Sequence, residues 1–280
     1  KNERSRHVTF GFEKDFPGLS LKAETYYKNF HDLISGALET EAELAARLAR
    51  YNFPPTLQDS IPMEPLITTT PENNASGRSY GLELVATRPR PSGAQRLSGW
   101  ASYSFGKATK EAYGMTLPFE YDRRHAVSIV GQVNASKKFE VGFTLRAASG
   151  FPRTEPIGVR VVAVEDALDV NGNGDTKELV PERDANGFPV YTPDYGPVAN
   201  LLQSRYPWFF RLDLRLNWRP HGDRSRWLFY LEFINATNRE NVGRYEAELI
   251  PVPGGREPRI EETPAAALPF LPTFGVRFRF

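Results

Sequence analysis

The stretch DVNGNGD, residues 169–175, carries the clearest chemistry in this sequence. Oxygen-bearing side chains recur at alternate positions, Asp169, Asn171, Asn173 and Asp175, and the glycines between them allow tight curvature. A hard cation such as calcium needs that arrangement to gather several ligands at short range. The twelfth position of an EF-hand-like loop would be Val180 in place of a bidentate Glu, and Glu178 or Glu182 could substitute only with different geometry. The competing reading is an Asn/Gly-rich surface turn. Calcium is thus the single cofactor the sequence nominates, with those four residues as its candidate ligands.

Other chemistry is thin. The four histidines, His7, His31, His125 and His221, lie more than twenty residues apart in sequence and none has HExxH or similar ligand spacing. Structural or solvated roles fit them better than catalysis. His31-Asp32 could serve an outer-membrane hydrolase, yet FHDLI reads better as the end of a strand, and no Ser or Asp pair stands out beside it. The sequence has no cysteine, which removes disulfides, thiol catalysis and Cys-ligated metals. With 35 Lys and Arg against 34 Asp and Glu, the net charge of +1 gives no reason to expect nucleic acid.

The elements that must position these residues are strands. In LPTFGVRFRF, at the end of the sequence, Phe274, Val276, Phe278 and Phe280 fall on one face of an extended chain, with Gly275, Arg277 and Arg279 on the other. FFRLDLRLNW sets Phe210, Leu212, Leu214, Leu216 and Trp218 against Arg211, Asp213, Arg215 and Asn217, and KFEVGFTLRA does the same with Phe139, Val141, Phe143, Leu145 and Ala147. A ladder of about ten such residues is near the length a tilted strand needs to cross a bilayer. Aromatics at 12% with a mean hydropathy of -0.47 suit alternating strands, and no apolar run approaches a membrane-spanning helix.

Alternation and turn residues predict nine strands, at residues 6–14, 19–29, 78–88, 97–106, 125–134, 139–148, 209–219, 227–233 and 271–280, the eighth with an irregular continuation to 249. Short connections (DFPG, RPSGAQ, ASKK, RPHGDRS) alternate with the long segments 30–77, 107–124, 149–208 and 234–270. In an antiparallel up-and-down barrel that sorting puts tight turns on one rim and large loops on the other, as in outer-membrane barrels with short periplasmic turns. The last strand then descends and places Phe280 at the periplasmic rim. Within the first long loop, TEAELAARLARY predicts one short helix, with a Thr40/Glu43 capping box and Leu44, Leu48 and Tyr51 at helical spacing. The inward-facing Lys22, Glu24, Glu83, Arg146, Arg211 and Arg215 read as solvation of the lumen or contacts to a plug. Sequons stand at Asn74, Asn134 and Asn235 and carry little meaning in a Gram-negative host.

Taken in order, SRHVTFGFEKDF with LSLKAETYYKNFHDLI, GRSYGLELVA, FEYDRRHAVSIV, RAASGFP before a long Asp/Asn/Gly loop, FRLDLRLNW, FYLEFINATNRENV and FGVRFRF resemble the C-terminal half of a TonB-dependent outer-membrane receptor. The resemblance implies a transporter with no covalent chemistry, moving a bulky, scarce solute inward: siderophore, cobalamin, saccharide or peptide. It implies that residues 1–280 are the C-terminal part of a barrel of 22 strands, the plugged class. An N-terminal barrel half, a plug and the TonB complex would be its partners, with outer-membrane lipid around the wall. Receptors of this type often carry an Asp/Asn/Gly stretch in this loop. The terminal aromatic strand, with Phe274, Val276, Phe278 and Phe280 on its apolar face, would be the signal read by the outer-membrane assembly machinery. Neither plug nor TonB-contacting segment has a counterpart in this sequence, and there is no initiating Met or signal peptide, so the chain is expected to be a processed product or a piece of something longer. Two other readings compete: a stand-alone small barrel acting as passive channel or hydrolase, and a soluble β-sandwich binding module.

Overall fold

Period-two alternation gives each strand two unlike faces, and pairing strands in register joins the like faces into continuous surfaces. In the computed structural model, which describes residues 2–89, 96–169, 172–254 and 256–280, nine strands form one antiparallel meander. They are β1 (Arg4–Phe16), β2 (Leu19–Leu38), β3 (Ile67–Arg88), β4 (Leu97–Ala112), β5 (His125–Asn134), β6 (Phe139–Ala148), β7 (Phe209–Trp218), β8 (Trp227–Ile234) and β9 (Leu271–Phe278). A tenth short strand, Met115–Pro118, folds back on β4. Each strand of the meander pairs with its sequence neighbour, and β1 and β9 each keep one edge unpaired, so the sheet is an unclosed arc of barrel wall.

The outer face is a lattice of apolar rows. Phe12, Ala23, Leu84, Tyr103, Val127, Ala147 and Phe210 lie in register across seven strands, and Phe143, Leu214, Phe233 and Pro272 form another row further along. These side chains face outward; Phe274 is 85% exposed. The inner face carries Lys22 with Glu24 at 3.2 Å, Arg211 with Asp213 at 2.8 Å, and Arg215 with Glu232 at 3.7 Å. Oil outside and ion pairs inside invert a soluble core, as a membrane wall requires. Aromatic pairs mark one boundary: Trp218 with Phe229 at 5.2 Å and Trp227 with Phe278 at 4.6 Å stand at the short-turn rim. At the opposite rim His125 stacks on Trp208 at 6.0 Å and shares a 3.0 Å hydrogen bond with the Tyr103 hydroxyl.

Register is pinned by aromatics lying over glycines. Tyr26 faces Gly81, Phe143 faces Gly131 and Tyr230 faces Gly275 in the pairing, and a Cβ on those glycines would fall 2.7, 2.3 and 2.3 Å from the respective rings. A ring laid over a glycine buries backbone that would otherwise be bare, which favours this register.

All nine predicted strands form, but β2 and β3 run far past their predicted ends, to Leu38 and from Ile67. Beyond the bilayer no lipid enforces alternation; the ladder there shifts register around Leu33, Ser35 and Gly36, and Asp32 takes a φ of 55°. The predicted continuation to residue 249 does not form. After Ile234 the backbone turns left-handed at Asn235 (φ 51°) and Asn238 (φ 47°), and Val242–Val252 instead pairs with Arg256–Ala266 as a separate hairpin. The predicted turn at 90–95 lies outside the described residues. The loop helix forms at Glu41–Ala49 with both capping-box bonds, Glu43 N–H to the Thr40 hydroxyl and Thr40 N–H to the Glu43 carboxylate.

Candidate functional site

All long connections lie on one rim, and paired charges hold them there. Glu39, at the start of the first loop, accepts from Arg47 on the loop helix at 2.8 Å and from Leu66 N–H at 2.9 Å, while Arg47 also donates to the carbonyls of Pro62 and Glu64. The Arg47 guanidinium holds the Glu39 carboxyl below its ordinary range despite partial burial. This loop is then tied to the third: Arg50 donates to the Lys177 carbonyl and to Glu165, and Leu179 N–H donates to the Arg50 carbonyl at 2.7 Å.

A second clasp centres on Asp122, whose side chain is only 1% exposed. It accepts from Arg124 at 2.6 Å, from Arg205 at 2.5 Å and from Ala108 N–H at 2.6 Å, and Arg205 also reaches the Asp122 and Gly150 carbonyls. Burial alone would raise this carboxyl; the two guanidiniums and the N–H outweigh it and hold the pKa below the usual range. The neighbouring Arg123 lies 4.1 Å over the Phe151 ring, and burial lowers its pKa.

A third clasp joins the long loop to the last hairpin. Arg153 makes a fork-on-fork pair with Glu262 at 2.8 and 2.9 Å, binds Glu155 at 2.6 Å, and stacks 4.2 Å over Tyr245, which lies parallel to Tyr206. The Glu262 carboxylate raises the Arg153 pKa further. Beneath it the fully buried Asn235 donates to the Arg239 and Leu268 carbonyls, and Asn241 exchanges bonds with the backbone of Phe210. The Asn235 sequon therefore caps backbone.

Between the first and third loops lies a cavity of about 510 Å³, lined by Ile61, Met63, Ile157 and Tyr195 together with Arg160 and Asp194. Arg160 makes no ion pair among the described residues. Apolar side chains share this lining with three carboxylates, Asp59, Glu64 and Asp194, and one cation, Arg160.

The Asp/Asn/Gly turn stands apart from this cavity, at the tip of the hairpin Ala163–Glu165/Leu179–Pro181. Its oxygens cap its own backbone: Asp169 Oδ2 accepts from Gly174 N–H, the Asn173 side-chain oxygen from Asp175 N–H, and Asp175 from Lys177 N–H. Asp169 Oδ1 is buried without a hydrogen-bond partner among the described residues, and Asn171 lies outside them. No cluster of three or more His, Asp or Glu side chains placed to hold a metal occurs among the described residues. The described donors fit one ligand, not a shell.

The remaining sequence candidates scatter. His7 contacts the Thr9 hydroxyl at 2.8 Å, and the Asp32 carboxylate beside His31 is taken by Arg4 at 2.6 Å. Phe274, Val276, Phe278 and Phe280 are all exposed on the outer face. Sequence reading missed the Arg153–Glu262 and Asp122–Arg205 clasps altogether; the only local signal was the DRR of the FEYDRRHAV stretch.

A family model described as "TonB dependent receptor-like, beta-barrel" matches residues 1–236. No curated relative matches the sequence. In fold the chain is similar to the ferric-catecholate import receptor Fiu of Escherichia coli K12 in its closed form (13% identity, TM-score 0.55, 100% of this chain and 28% of that one). It is similar also to the FrpB iron transporter of Neisseria meningitidis (12%, 0.51, 100% and 32%) and to the ferripyoverdine receptor of the Pseudomonas aeruginosa outer membrane (9%, 0.50, 99% and 27%). The chain thus spans roughly a third or less of each of these structures. With the family matched over most of its length and the wall built as that family requires, the chain belongs to the TonB-dependent receptor β-barrels of the bacterial outer membrane.

Proposed function

We propose that this chain is the C-terminal part of the barrel wall, with surface loops, of a receptor that takes a bulky, scarce solute inward across the outer membrane on energy delivered through TonB. The observation that carries the reading is the sorting of the connections: the four long loops and their clasps cover one rim of a wall whose inner face is polar. In this reading the loops face outside and the short turns and Phe280 face the periplasm. The free edges of β1 and β9 receive an N-terminal barrel half, the inner ion pairs meet a plug, TonB acts through that plug, and the wall performs no covalent chemistry. The solute is a siderophore, cobalamin, saccharide or peptide; iron chelates are tested first because the structural neighbours are named for them.

Accumulation of labelled candidates in cells with and without the receptor, each with TonB intact or deleted, tests this. Uptake should need both proteins. Uptake that survives loss of TonB would instead support a passive channel.

The terminal strand is proposed as the assembly signal, because Phe274, Val276 and Phe278 form an exposed apolar ladder, mostly aromatic, that ends at Phe280. Deleting Phe280 should lower the amount of heat-modifiable barrel in the outer membrane; an unchanged level removes that role.

A further inference from the structure

The outer face is not uniformly filled. Across most of the wall the outward positions hold large side chains such as Phe143, Leu214, Phe233 and Phe274. At the crossing of β3 and β4 they shrink to Ala86, Ala101 and Gly99. Two depressions of about 540 and 200 Å³ open there and share Ala86, Ala101 and Ile129, so they form one continuous groove. Phe12, Leu21 and Val127 flank its upper part, and Leu19, Leu97 and Phe143 its lower part, toward the short-turn rim.

The groove has a polarity. Its lower part is lined by Arg88, which alternation places on the same face as Leu84 and Ala86. Lys14 stands on the outer face of β1, with its ammonium 5.2 Å over the Phe16 ring, and is in register with Leu21 and, through it, Ala86. Lys14 and Arg88 are two strands apart and staggered by two residues along them, roughly 12 Å in all, so their long side chains can still reach one shared anion between them. Neither makes an ion pair among the described residues. Toward the loop rim the groove ends at Tyr103, beside His125 and Trp208, with no cation lining it there beyond Lys22 of the inner face.

The geometry points to a bound glycerophospholipid with an anionic head group: an acyl chain lies in the groove over Ala86 and Ala101, and the phosphate sits between Lys14 and Arg88 at the short-turn rim. The apolar lining faces the bilayer and selects a hydrocarbon chain, while the paired cations at one end select the charge and direction of its head group. The site rests only on the membrane-spanning wall, and is independent of which solute the receptor carries.

Retention of lipid by the intact, membrane-extracted receptor tests the site. Micelles doped with palmitoyl-oleoyl phosphatidylglycerol or phosphatidylcholine would be compared by native mass spectrometry. The wild type should retain phosphatidylglycerol about tenfold over phosphatidylcholine. K14Q/R88Q should lose that preference, K14R/R88K should keep it, and A101F, which fills the groove, should reduce retention of both lipids, all with unchanged heat-modifiable migration. Equal retention of the two lipids by the wild type would mean ordinary annular lipid and overturn the site. So would undiminished preference in K14Q/R88Q, or lipopolysaccharide displacing the phospholipid from the wild type.

Discussion

The wall and the loop rim of this molecule are held by different kinds of force. In the wall, each residue pairs with neighbours fixed by a repeating register, and rows such as Phe143–Leu214–Phe233 differ little from the rows beside them. Stability there is spread over many equivalent apolar contacts and ladder bonds, with lipid as the solvent of the outer face. At the rim, order rests on a few pairs that join residues far apart in sequence: Arg205 with Asp122, 83 residues away, Arg153 with Glu262, 109 away, and Arg50 with the Lys177 carbonyl, 127 away. A wall built this way tolerates loss of one contact; a clasped loop does not. That difference sets a wall of repeated, interchangeable contacts against a rim held by a few individual pairs.

The largest effect should come from putting charge on the wrong side of the wall. Leu214→Arg or Phe143→Arg places a cation in hydrocarbon and should cost about 2–4 kcal/mol near the midplane, whereas Arg215→Ser or Thr144→Ser on the inner face should be tolerated. Denaturant titration of the barrel refolded into lipid vesicles measures this. Similar costs on both faces would erase the distinction between lipid and lumen.

Breaking a clasp should disturb the rim alone. Arg205→Ala leaves the buried Asp122 with Arg124 and one N–H, a loss of about 1.5–3 kcal/mol for a hydrogen bond to a charged group, and should speed hydrogen exchange around residues 149–153 and 203–206 while β5 to β8 stay protected. Acid should imitate it. The Asp122 carboxyl titrates lower when folded than the roughly 3.9 of an unfolded Asp, so its contribution is complete above about pH 5, begins to fall near pH 4 and is gone below the folded value. Protection factors at the rim of the wild type, taken relative to the intrinsic amide exchange rate at each pH, should therefore fall below about pH 4, before the wall melts. A simultaneous loss of wall and rim protection would show that the two are one cooperative unit.

The same contrast explains what could be read in the sequence. Strands β4 to β9 were legible because the bilayer forces a polar–apolar period on every residue that crosses it, and FRLDLRLNW shows that period without interruption. The outer halves of β2 and β3 were not, since NFHDLISGAL has left the lipid and its pairing is sustained by bulges and by bonds such as Ser35 to Asn74. The helix could be read because Thr40 and Glu43 are three residues apart. Arg153 and Glu262 carry no local mark of each other; only the folded rim brings them together. FINATNREN read as strand because its apolar start continues β8, while the left-handed backbone and buried amide of Asn235 end it.

The smallest effect concerns the turn at residues 169–175, where the comparison is between a loop held by its own Asx bonds and one held by an ion. The described donors supply a single oxygen for an ion, Asp169 Oδ1, buried without a hydrogen-bond partner among the described residues, and we propose it as the point at which calcium would enter the turn. The bonds from Gly174, Asp175 and Lys177 N–H to the side chains of this turn occupy other oxygens, and an ion would have to compete with or share them. Binding stabilises the folded loop by about 1.4 kcal/mol when calcium is tenfold above its Kd. Calcium should then slow proteolysis within residues 150–207, magnesium should do so less, and Asp169→Ala with Asp175→Ala should abolish the protection. Equal cleavage with calcium and with chelator would leave the turn as one closed by its own side chains, and the rim as a surface held by clasps alone.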